Sequence, residues 1–354
     1  MGRKAKSNRK ELRHALGVSL ALLLALFLLP LFTVTAVRQH RAAAEQPEEP
    51  IHLLPPGEID SAETVRVLDG GTVTEMTFAD YLQGVLRAEM PASFEEQALC
   101  AQVVAARTYT RYKMQSGGNH GDTADVCTDH TCCQAYLSRE RAAANWGEQA
   151  ERYEAKIENA VAATDGQVML YGGAPILAVF HSSSAGETWS AGQVWTSDLP
   201  YLQSVPSPEG ESVPNYYSTV KLTEAEFRET FLAAHPEADF SGPAETWVGD
   251  MVTEGVHVER VTIGGVSVSG PAVRSLYGLR SASFEIEVKD GGVTFYVTGY
   301  GHGVGMSQYG ANAMAAEGST WREILTHYYT GVTIAPWTPG GAGSAAPAAS
   351  GGEA

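Results

Sequence analysis

The chain has 354 residues and a formal net charge of −17 at pH 7, and 44% of its residues are hydrophobic, enough for one large domain or two small ones. Residues 1–14 hold six of the 24 lysines and arginines, which leaves 18 basic and 40 acidic residues in the remainder, a net charge of about −22. So acidic a surface repels nucleic acid, which argues against a nucleic-acid-binding function.

The N-terminal segment has the pattern of a membrane anchor. Residues 15–37 contain no charged side chain and follow the basic tail formed by residues 1–14. This run is long enough to cross a bilayer, and the positive charges before it favour a cytoplasmic N-terminus. A cleaved signal peptide is the alternative, although its apolar region usually spans only ~7–15 residues. We therefore predict a single transmembrane helix with the rest of the chain outside the cytoplasm.

Composition also indicates the limits of the folded part. Residues 38–60 contain proline-rich and acidic stretches without periodicity, which is typical of a linker. Residues 338–354 consist mainly of glycine, alanine and serine and are predicted to be disordered. The folded domain is therefore predicted to span residues 61–337.

The first candidate functional residue lies at the predicted end of a helix. Phe78, Leu82, Val85 and Glu89 recur at helical spacing, which places the Glu89 carboxylate on the apolar face. Pro91 disfavours helical geometry in the residue before it, so the helix should end near Glu89. A partly desolvated carboxyl group has a raised pKa, which suits a general acid. An ordinary solvated glutamate is the alternative interpretation.

A second helix is predicted directly afterwards. Ser93 and Glu96 have the spacing of a capping box, and an alanine-rich run follows them. Arg107 lies on this helix, where it could either bind a buried carboxylate or extend to solvent. Cys100 lies on the apolar seam and is interpreted as a core residue.

A loop rich in cysteine and histidine follows this helix. Soft thiolates and imidazoles close together in sequence are typical zinc ligands, and a four-ligand site would fix a long loop. The spacing does not match paired CxxC motifs, so a disulfide between Cys127 and Cys133, or free thiols, are alternatives. The candidate ligands are His120, Cys127, Cys132 and Cys133, with His130 nearby.

The remainder of the chain mixes helices and strands. Amphipathic helices are predicted at 144–164, 222–238 and 320–331. Alternating patterns around glycine turns predict strands near residues 64–77, 167–181, 256–269 and 284–297. Because no regular alternation of strand and helix occurs, the predicted fold class is α+β, with one mixed domain.

Two polar loops complete the candidate site. The segment HSSSAGETWS carries His181, Ser182 and Ser184, but it lacks the GxSxG motif of a serine hydrolase and fits a polar loop that lines a carbohydrate groove. The segment GYGHGVGMSQYG has many glycines, which allow close approach of the backbone to a ligand. Its candidate hydrogen-bonding side chains are His302, Ser307, Gln308 and Tyr309.

Three of these segments together resemble the stage II sporulation protein D family. The resemblance rests on AEMPASF with ALCAQVVAARTYT, on the histidine-serine loop, and on the glycine-rich segment with HYYTGV after it. It extends from Thr64 to about Pro336 and includes the N-terminal anchor.

This resemblance implies a membrane-anchored lytic transglycosylase that acts on peptidoglycan and prefers glycan strands without stem peptides. Glu89 would be the single catalytic acid and base. The implied substrate-binding residues are Arg107, His181, Ser182, Ser184, His302, Ser307, Gln308 and Tyr309. The resemblance also implies zinc at Cys127 and Cys133, but Cys132 stands where histidine is common, which leaves the exact ligand set open.

The resemblance further implies a cellular setting, namely the mother-cell membrane during engulfment of the forespore. It implies a complex with a peptidoglycan amidase and a membrane protein. Two other functions remain open at this stage: a zinc-dependent cell-wall amidase or hydrolase that uses the cysteine cluster catalytically, and a non-catalytic glycan-binding scaffold.

Overall fold

The computed structural model describes residues 51–117, 120–195 and 197–337, and the predicted anchor at 15–37 and tail at 338–354 lie outside them. No helix in this described part is long and apolar enough to cross a membrane. The helices are α1 (Glu58–Ala62), α2 (Phe78–Glu89), α3 (Glu96–Gln115), α4 (Arg139–Trp146), α5 (Ala150–Ala163), α6 (Ala191–Val194), α7 (Glu224–Ala234), α8 (Gly270–Tyr277), α9 (Gln308–Ala316) and α10 (Trp321–Tyr328).

The strands are short and form several small sheets. Their bounds are β1 (Thr64–Asp69), β2 (Thr72–Thr77), β3 (Val126–Cys127), β4 (Gln167–Tyr171), β5 (Ala174–Pro175), β6 (Phe180–His181), β7 (Tyr217–Thr223), β8 (Val248–Glu254), β9 (His257–Ile263), β10 (Val266–Ser269), β11 (Phe284–Lys289), β12 (Gly292–Thr298), β13 (Met306–Ser307) and β14 (Thr333–Pro336). The sheet orders are β2-β1-β3, β14-β4-β5, β13-β6, β10-β9-β8 and β11-β12-β7. Helices and sheets are therefore mixed, which confirms the α+β prediction.

Helix α3 is the centre of the first hydrophobic core. It is alanine-rich, and its residues from Ala98 to Arg111 are all buried, because small side chains let neighbouring elements approach it from every side. Helices α2, α5, α9 and α10 and strand β4 pack around it. The core thus joins segments from both ends of the described chain.

A second core lies within residues 217–298. Two antiparallel sheets, β10-β9-β8 and β11-β12-β7, pack with α7 and α8 around aromatic side chains. Phe227 and Phe295 are fully buried there, and their ring centroids lie 6.1 Å apart. In sequence, this segment lies between the histidine-serine loop and the glycine-rich segment. It contacts both: His257 binds the Glu187 carbonyl, and the Gly301 N–H donates to the Arg280 carbonyl.

Two sequence-based boundaries were wrong. Helix α3 begins at Glu96 with Glu95 as its N-cap, and no side chain caps it, so the predicted capping box from Ser93 does not form. The chain turns after Pro91 instead, where the Phe94 N–H donates to the Pro91 carbonyl at 3.0 Å. The helix predicted over 144–164 is broken at Gly147, whose φ of +56° is left-handed.

The folded part also extends into the segment assigned to the linker. Helix α1 begins at Glu58, and the backbone N–H groups of Ile59 and Asp60 donate to the Asp165 carboxylate at 2.9 and 2.8 Å. The Asp60 side chain is buried. Residues 58–60, which sequence composition places in a tether, are therefore bound to the folded domain.

Candidate active site

Glu89 is the last residue of α2, as the position of Pro91 predicted. The helix ends because Met90 adopts an extended conformation, with φ −130° and ψ 137°, before Pro91. The preceding turn is fixed by Arg87, whose Nε donates to the Glu154 carboxylate of α5 at 3.0 Å. The glutamate is therefore presented at a rigid corner between packed helices.

The Glu89 carboxyl group is half-buried. Burial raises its pKa, whereas one hydrogen bond that stabilises the carboxylate, from the Ala135 N–H to Oε1 at 2.7 Å, opposes that effect. Its position at the carboxyl end of a helix also disfavours negative charge. The group is thus suited to carry a proton at a pH where an exposed glutamate has lost it.

Glu89 lines a cavity of about 600 Å³ together with both polar loops. Ser182, His181, His302 and Gln308 face the same space. A second cavity of about 370 Å³ also has Glu89 in its wall and is lined by Trp146, Tyr309 and Pro91, among others. Because Glu89, Ser182 and Gln308 line both cavities, the two cavities adjoin at the acid, and together they are called the groove.

The glycine-rich segment forms one wall of this groove. Gln308 Nε2 donates to the Glu89 backbone carbonyl at 2.9 Å, which ties that wall to the corner carrying the acid. Strand β13 pairs in parallel with β6, and Gly305 makes this pairing possible. Its φ is +72°, and a Cβ there would lie 2.1 Å from the Val179 carbonyl oxygen, so no other residue fits.

His181 and His302 are neutral and fully hydrogen-bonded. His181 Nδ1 donates to the Val304 carbonyl at 3.2 Å, and its Nε2 accepts from Ser184 Oγ at 2.8 Å. His302 Nε2 donates to the Phe180 carbonyl at 3.0 Å, and burial lowers its pKa to about 4. Burial also lowers the pKa of His181 well below its usual value. These histidines shape the wall and do not exchange protons at neutral pH.

Ser184 and Ser307, two of the predicted substrate-binding residues, bind another part of the protein. Ser184 and Ser307 are buried, and both bind Glu209: the Ser184 N–H at 2.6 Å and Ser307 Oγ at 2.5 Å each donate to its Oε1. Glu209 thereby joins the two loops. Sequence reasoning missed it, because nothing in the segment around it forms a recognisable motif. Trp189 is buried against His257, with ring centroids 4.5 Å apart, and therefore acts as a core residue.

Arg107 does not reach the groove. Its side chain is fully buried, and its Nε and Nη2 donate to the Asp60 carboxylate at 3.0 and 2.6 Å, while Nη1 donates to the Gln167 carbonyl at 3.1 Å. The assignment of Arg107 to substrate binding does not fit this position. Its buried carboxylate partner is Asp60, which stands in the segment that sequence analysis assigned to the linker.

Two groove residues were not singled out from the sequence. Arg274, on α8, and Tyr300, at the start of the glycine-rich segment, both line the larger cavity. Tyr300 is 45% exposed, and the Arg280 guanidinium stacks over its ring at 4.0 Å. The aromatic residue inside GYGHG was a usable signal for Tyr300, whereas Arg274 belongs to a segment without a motif.

The cysteine cluster assembles beside the groove. One ligand atom from each of His120, Cys127, Cys132 and Cys133 lies within 4.8 Å of the others. His120 Nε2 is 3.6 Å from Cys132 Sγ and 3.7 Å from Cys133 Sγ, and the two sulfurs are 3.9 Å apart. Tetrahedral zinc with its usual bond lengths needs ligand separations of about 3.5–3.8 Å. The four residues therefore fit zinc, and His130 lies outside the cluster.

The alternative disulfide is not formed, since all four cysteines are free. Cys100 is buried in the first core, as predicted. The loop that holds the cluster also carries Ala135, whose N–H binds Glu89. The geometry of the candidate metal site is thus linked to the candidate acid through two residues of backbone.

Comparisons with known proteins agree with the resemblance noted in the sequence. Residues 69–171 match the family model described as "Stage II sporulation protein". The chain is 38% identical over 264 residues to stage II sporulation protein D of Bacillus subtilis (strain 168), covering 74% of this chain and 76% of that protein. It is 37% identical to the protein of the same name in Bacillus amyloliquefaciens, over 74% and 75% of the two chains.

A more distant relative carries a different name. The amidase enhancer of Bacillus subtilis (strain 168) is 29% identical over 305 residues, which cover 72% of this chain and 40% of that protein.

Proposed function

The chain belongs to the stage II sporulation protein D family, and from that membership we propose that it is a lytic transglycosylase that cleaves the glycan strands of peptidoglycan during sporulation. The observation that carries the proposal is the position of Glu89, a half-buried acid with a raised pKa that lines two adjoining cavities. Two adjoining cavities beside one acid give a polymer room for more than one sugar unit near the bond that is cut.

The proposed reaction uses one carboxyl group twice. Glu89 first donates its proton to the glycosidic oxygen between N-acetylmuramic acid and N-acetylglucosamine, and the bond from C1 of muramic acid to that oxygen breaks. The resulting carboxylate then accepts the proton of the muramic acid 6-hydroxyl as this oxygen attacks C1. The product is a 1,6-anhydro ring, and Glu89 regains its proton for the next cycle.

The residues around the acid support this single-acid scheme. Among the described residues that line the two cavities, Glu89 is the only aspartate or glutamate. Hydrolysis with a water nucleophile commonly requires a second carboxyl group at a defined separation. An internal hydroxyl as nucleophile removes that requirement.

Zinc would have a structural role in this scheme. His120, Cys127, Cys132 and Cys133 would hold it, and four protein ligands leave no open position for a substrate. When bound, the metal would cross-link the loop that presents the Ala135 N–H to Glu89. The closed ligand set also argues against a zinc-dependent amidase or hydrolase.

The proposed setting comes from the family and from the sequence. Residues 15–37 would anchor the chain in the mother-cell membrane, with the folded domain outside the cytoplasm during engulfment of the forespore. Glycan strands without stem peptides are the product of a peptidoglycan amidase, which would be a partner together with a membrane protein. The likeness to an amidase enhancer favours an amidase as partner.

A Glu89→Gln variant tests the catalytic assignment. Purified peptidoglycan treated with the wild-type chain should yield 1,6-anhydro ends detectable by mass spectrometry. The variant should lose about 10²–10⁴-fold in rate, because general acid–base catalysis contributes about that much. Glu75→Gln, the same change at an exposed position of β2, is the matched control and should retain full activity.

The products distinguish the competing functions. Anhydro ends from both wild type and Glu89→Gln would overturn the role of Glu89. Hydrated reducing ends would indicate a hydrolase, and free stem peptides an amidase. Glycan binding without any cleavage would support the second candidate function, a non-catalytic scaffold. The name of the amidase enhancer relative is consistent with such a role.

A further inference from the structure

Arg274 faces the cavity that contains Glu89 and has no carboxylate partner among the described residues. Arg274 Nε donates to the Arg280 carbonyl at 3.2 Å, and within the described part of the chain its two terminal nitrogens donate to no protein atom. Burial lowers the pKa of its guanidinium, which is a sign of incomplete solvation. An unpaired, partly desolvated guanidinium gains strongly from an anionic ligand.

The position of this arginine does not serve the acid itself. Arg274 forms no ion pair with Glu89 and is not among the groups that shift the pKa of Glu89. Its positive charge instead helps to lower the pKa of His302, so it also keeps that histidine neutral. Among the described residues that line the larger cavity, Arg274 is the only lysine or arginine. Its charge is therefore available to a ligand.

The arginine is held in a defined position. It lies in the last turn of α8, which Gly278 terminates in a left-handed conformation, and the Arg280 carbonyl fixes its Nε. Arg280 is itself stacked on Tyr300, another residue of the cavity wall. A guanidinium fixed at one end loses little entropy when its free edge binds a planar carboxylate through two parallel hydrogen bonds.

The proposed substrate offers such a carboxylate in one form only. Muramic acid carries a lactyl ether, and its carboxyl group is an uncharged amide where a stem peptide is attached. Removal of the peptide leaves a free carboxylate on that sugar. We propose that Arg274 binds this lactyl carboxylate and thereby makes the enzyme select glycan strands without stem peptides. This inference rests on the proposed function of the groove.

Matched substrates separate the charge from the bulk of the peptide. One is a glycan oligosaccharide with free lactyl carboxylates, and the other is the same oligosaccharide with each carboxylate converted to a methylamide. For the wild-type chain we expect a kcat/KM about 10–100-fold higher on the carboxylate form, as for a hydrogen bond to a charged group. Arg274→Gln should lose this factor, so that the carboxylate and methylamide forms react with similar kcat/KM. Arg274→Lys should be intermediate.

Controls keep the outcome interpretable. Arg260→Gln removes the same charge from an exposed position of β9 and should retain the wild-type preference. Thermal unfolding should show that Arg274→Gln is as stable as wild type. An undiminished preference for the carboxylate form in Arg274→Gln would overturn the inference.

A binding measurement separates failure of this inference from failure of the proposed function. In the Glu89→Gln background, the carboxylate oligosaccharide should bind about 10–100-fold more tightly than the methylamide, and adding Arg274→Gln should abolish the difference. Equal binding of the two forms to Glu89→Gln would refute the role of Arg274. Absence of anhydro products from the wild-type chain on both substrates would refute the transglycosylase proposal alone.

Discussion

At the level of single residues, the proton on Glu89 is controlled by opposing contacts. Burial raises the pKa of the carboxyl group, and the Ala135 N–H lowers it. Complete burial would leave the carboxylate unable to form in the second step, and full solvation would remove the proton needed for the first. One hydrogen bond in a half-buried site satisfies both steps.

This balance predicts the pH dependence of the reaction. Because the pKa of Glu89 is raised, its acid form persists to higher pH than that of an exposed glutamate. Once the pH exceeds this pKa, kcat/KM should fall tenfold per pH unit. His302, with its pKa lowered to about 4, should add no inflection at neutral pH.

Initial rates on carboxylate oligosaccharides between pH 4 and 9 measure this profile. A single alkaline limb above the usual range of glutamate is expected. A limb that begins near the value of an exposed glutamate would contradict the assigned environment of Glu89, and Glu75→Gln should reproduce the wild-type curve.

Arg107 predicts a stability effect without a catalytic one. Replacing it with leucine leaves the Asp60 carboxylate buried and unpaired, which should lower the free energy of unfolding by about 3–5 kcal/mol. Arg66→Leu, which breaks a pair with Asp125 at a solvent-exposed arginine, should lower stability far less, because water screens that pair. Denaturant titration measures both. Wild-type stability in Arg107→Leu would show that the pair contributes nothing.

At the level of elements, the sequence predicts local structure better than the contacts between segments. The strands near residues 64–77, the end of helix α2 near Glu89 and the helix within 320–331 were all confirmed, because each depends on residues a few positions apart. The break at Gly147 was missed, since one glycine inside an amphipathic pattern is usually tolerated.

The candidate site divides in the same way. Glu89, the histidine-serine loop and the glycine-rich segment carry recognisable residue patterns, and the structure brings them to one groove. Asp60 binds Arg107, 47 residues away in sequence, and Glu209 binds Ser307, 98 residues away. Arg274 lines a cavity that distant elements form together. Neither periodicity nor motif spacing contains that information, so only the folded chain reveals their roles.

The loop between α3 and α4 should depend on metal. The four ligands lie in one loop whose backbone forms few regular hydrogen bonds, so bound zinc would stabilise that loop. Removal of zinc should therefore lower the melting temperature and weaken the hydrogen bond from the Ala135 N–H to Glu89. Metal analysis of the native chain should give about one zinc per molecule, and Cys127→Ser should reduce it. Cys100→Ser, in the core and outside the cluster, is the control.

Whether chelation first reduces stability or activity distinguishes a structural zinc from a catalytic one. With a structural zinc, chelation lowers stability first and activity falls with the folded fraction. Immediate loss of activity in a fully folded chain would indicate a catalytic metal, and a native chain without metal would remove the site from the scheme.

At the level of the whole molecule, the groove lies where two cores meet. The first core supplies Glu89 and the glycine-rich wall, and the second supplies Arg274 from α8. The acid and the proposed recognition residue therefore belong to separately packed parts of the chain. Substitutions that loosen the second core should weaken substrate selection before they affect the acid.

The net charge of the molecule is negative, as is that of its proposed substrate, so the two repel each other. Residues after position 14 carry about −22, and a glycan strand with free lactyl carboxylates is a polyanion. At 10 mM salt the screening length is about 30 Å, so the whole surface repels the strand, whereas at 150 mM it is about 8 Å. The partly buried Arg274 is screened much less than surface charges.

We therefore expect kcat/KM on the carboxylate substrate to rise several-fold between 10 and 150 mM salt, because screening removes the long-range repulsion and preserves the local contact with Arg274. The uncharged methylamide substrate should show no such rise. In Arg274→Gln the rise should persist from a lower starting value, since the repulsion comes from the whole surface. A kcat/KM that falls with salt on the carboxylate form would mean that attraction within the groove dominates at long range and that the acidic surface does not govern the approach of the strand.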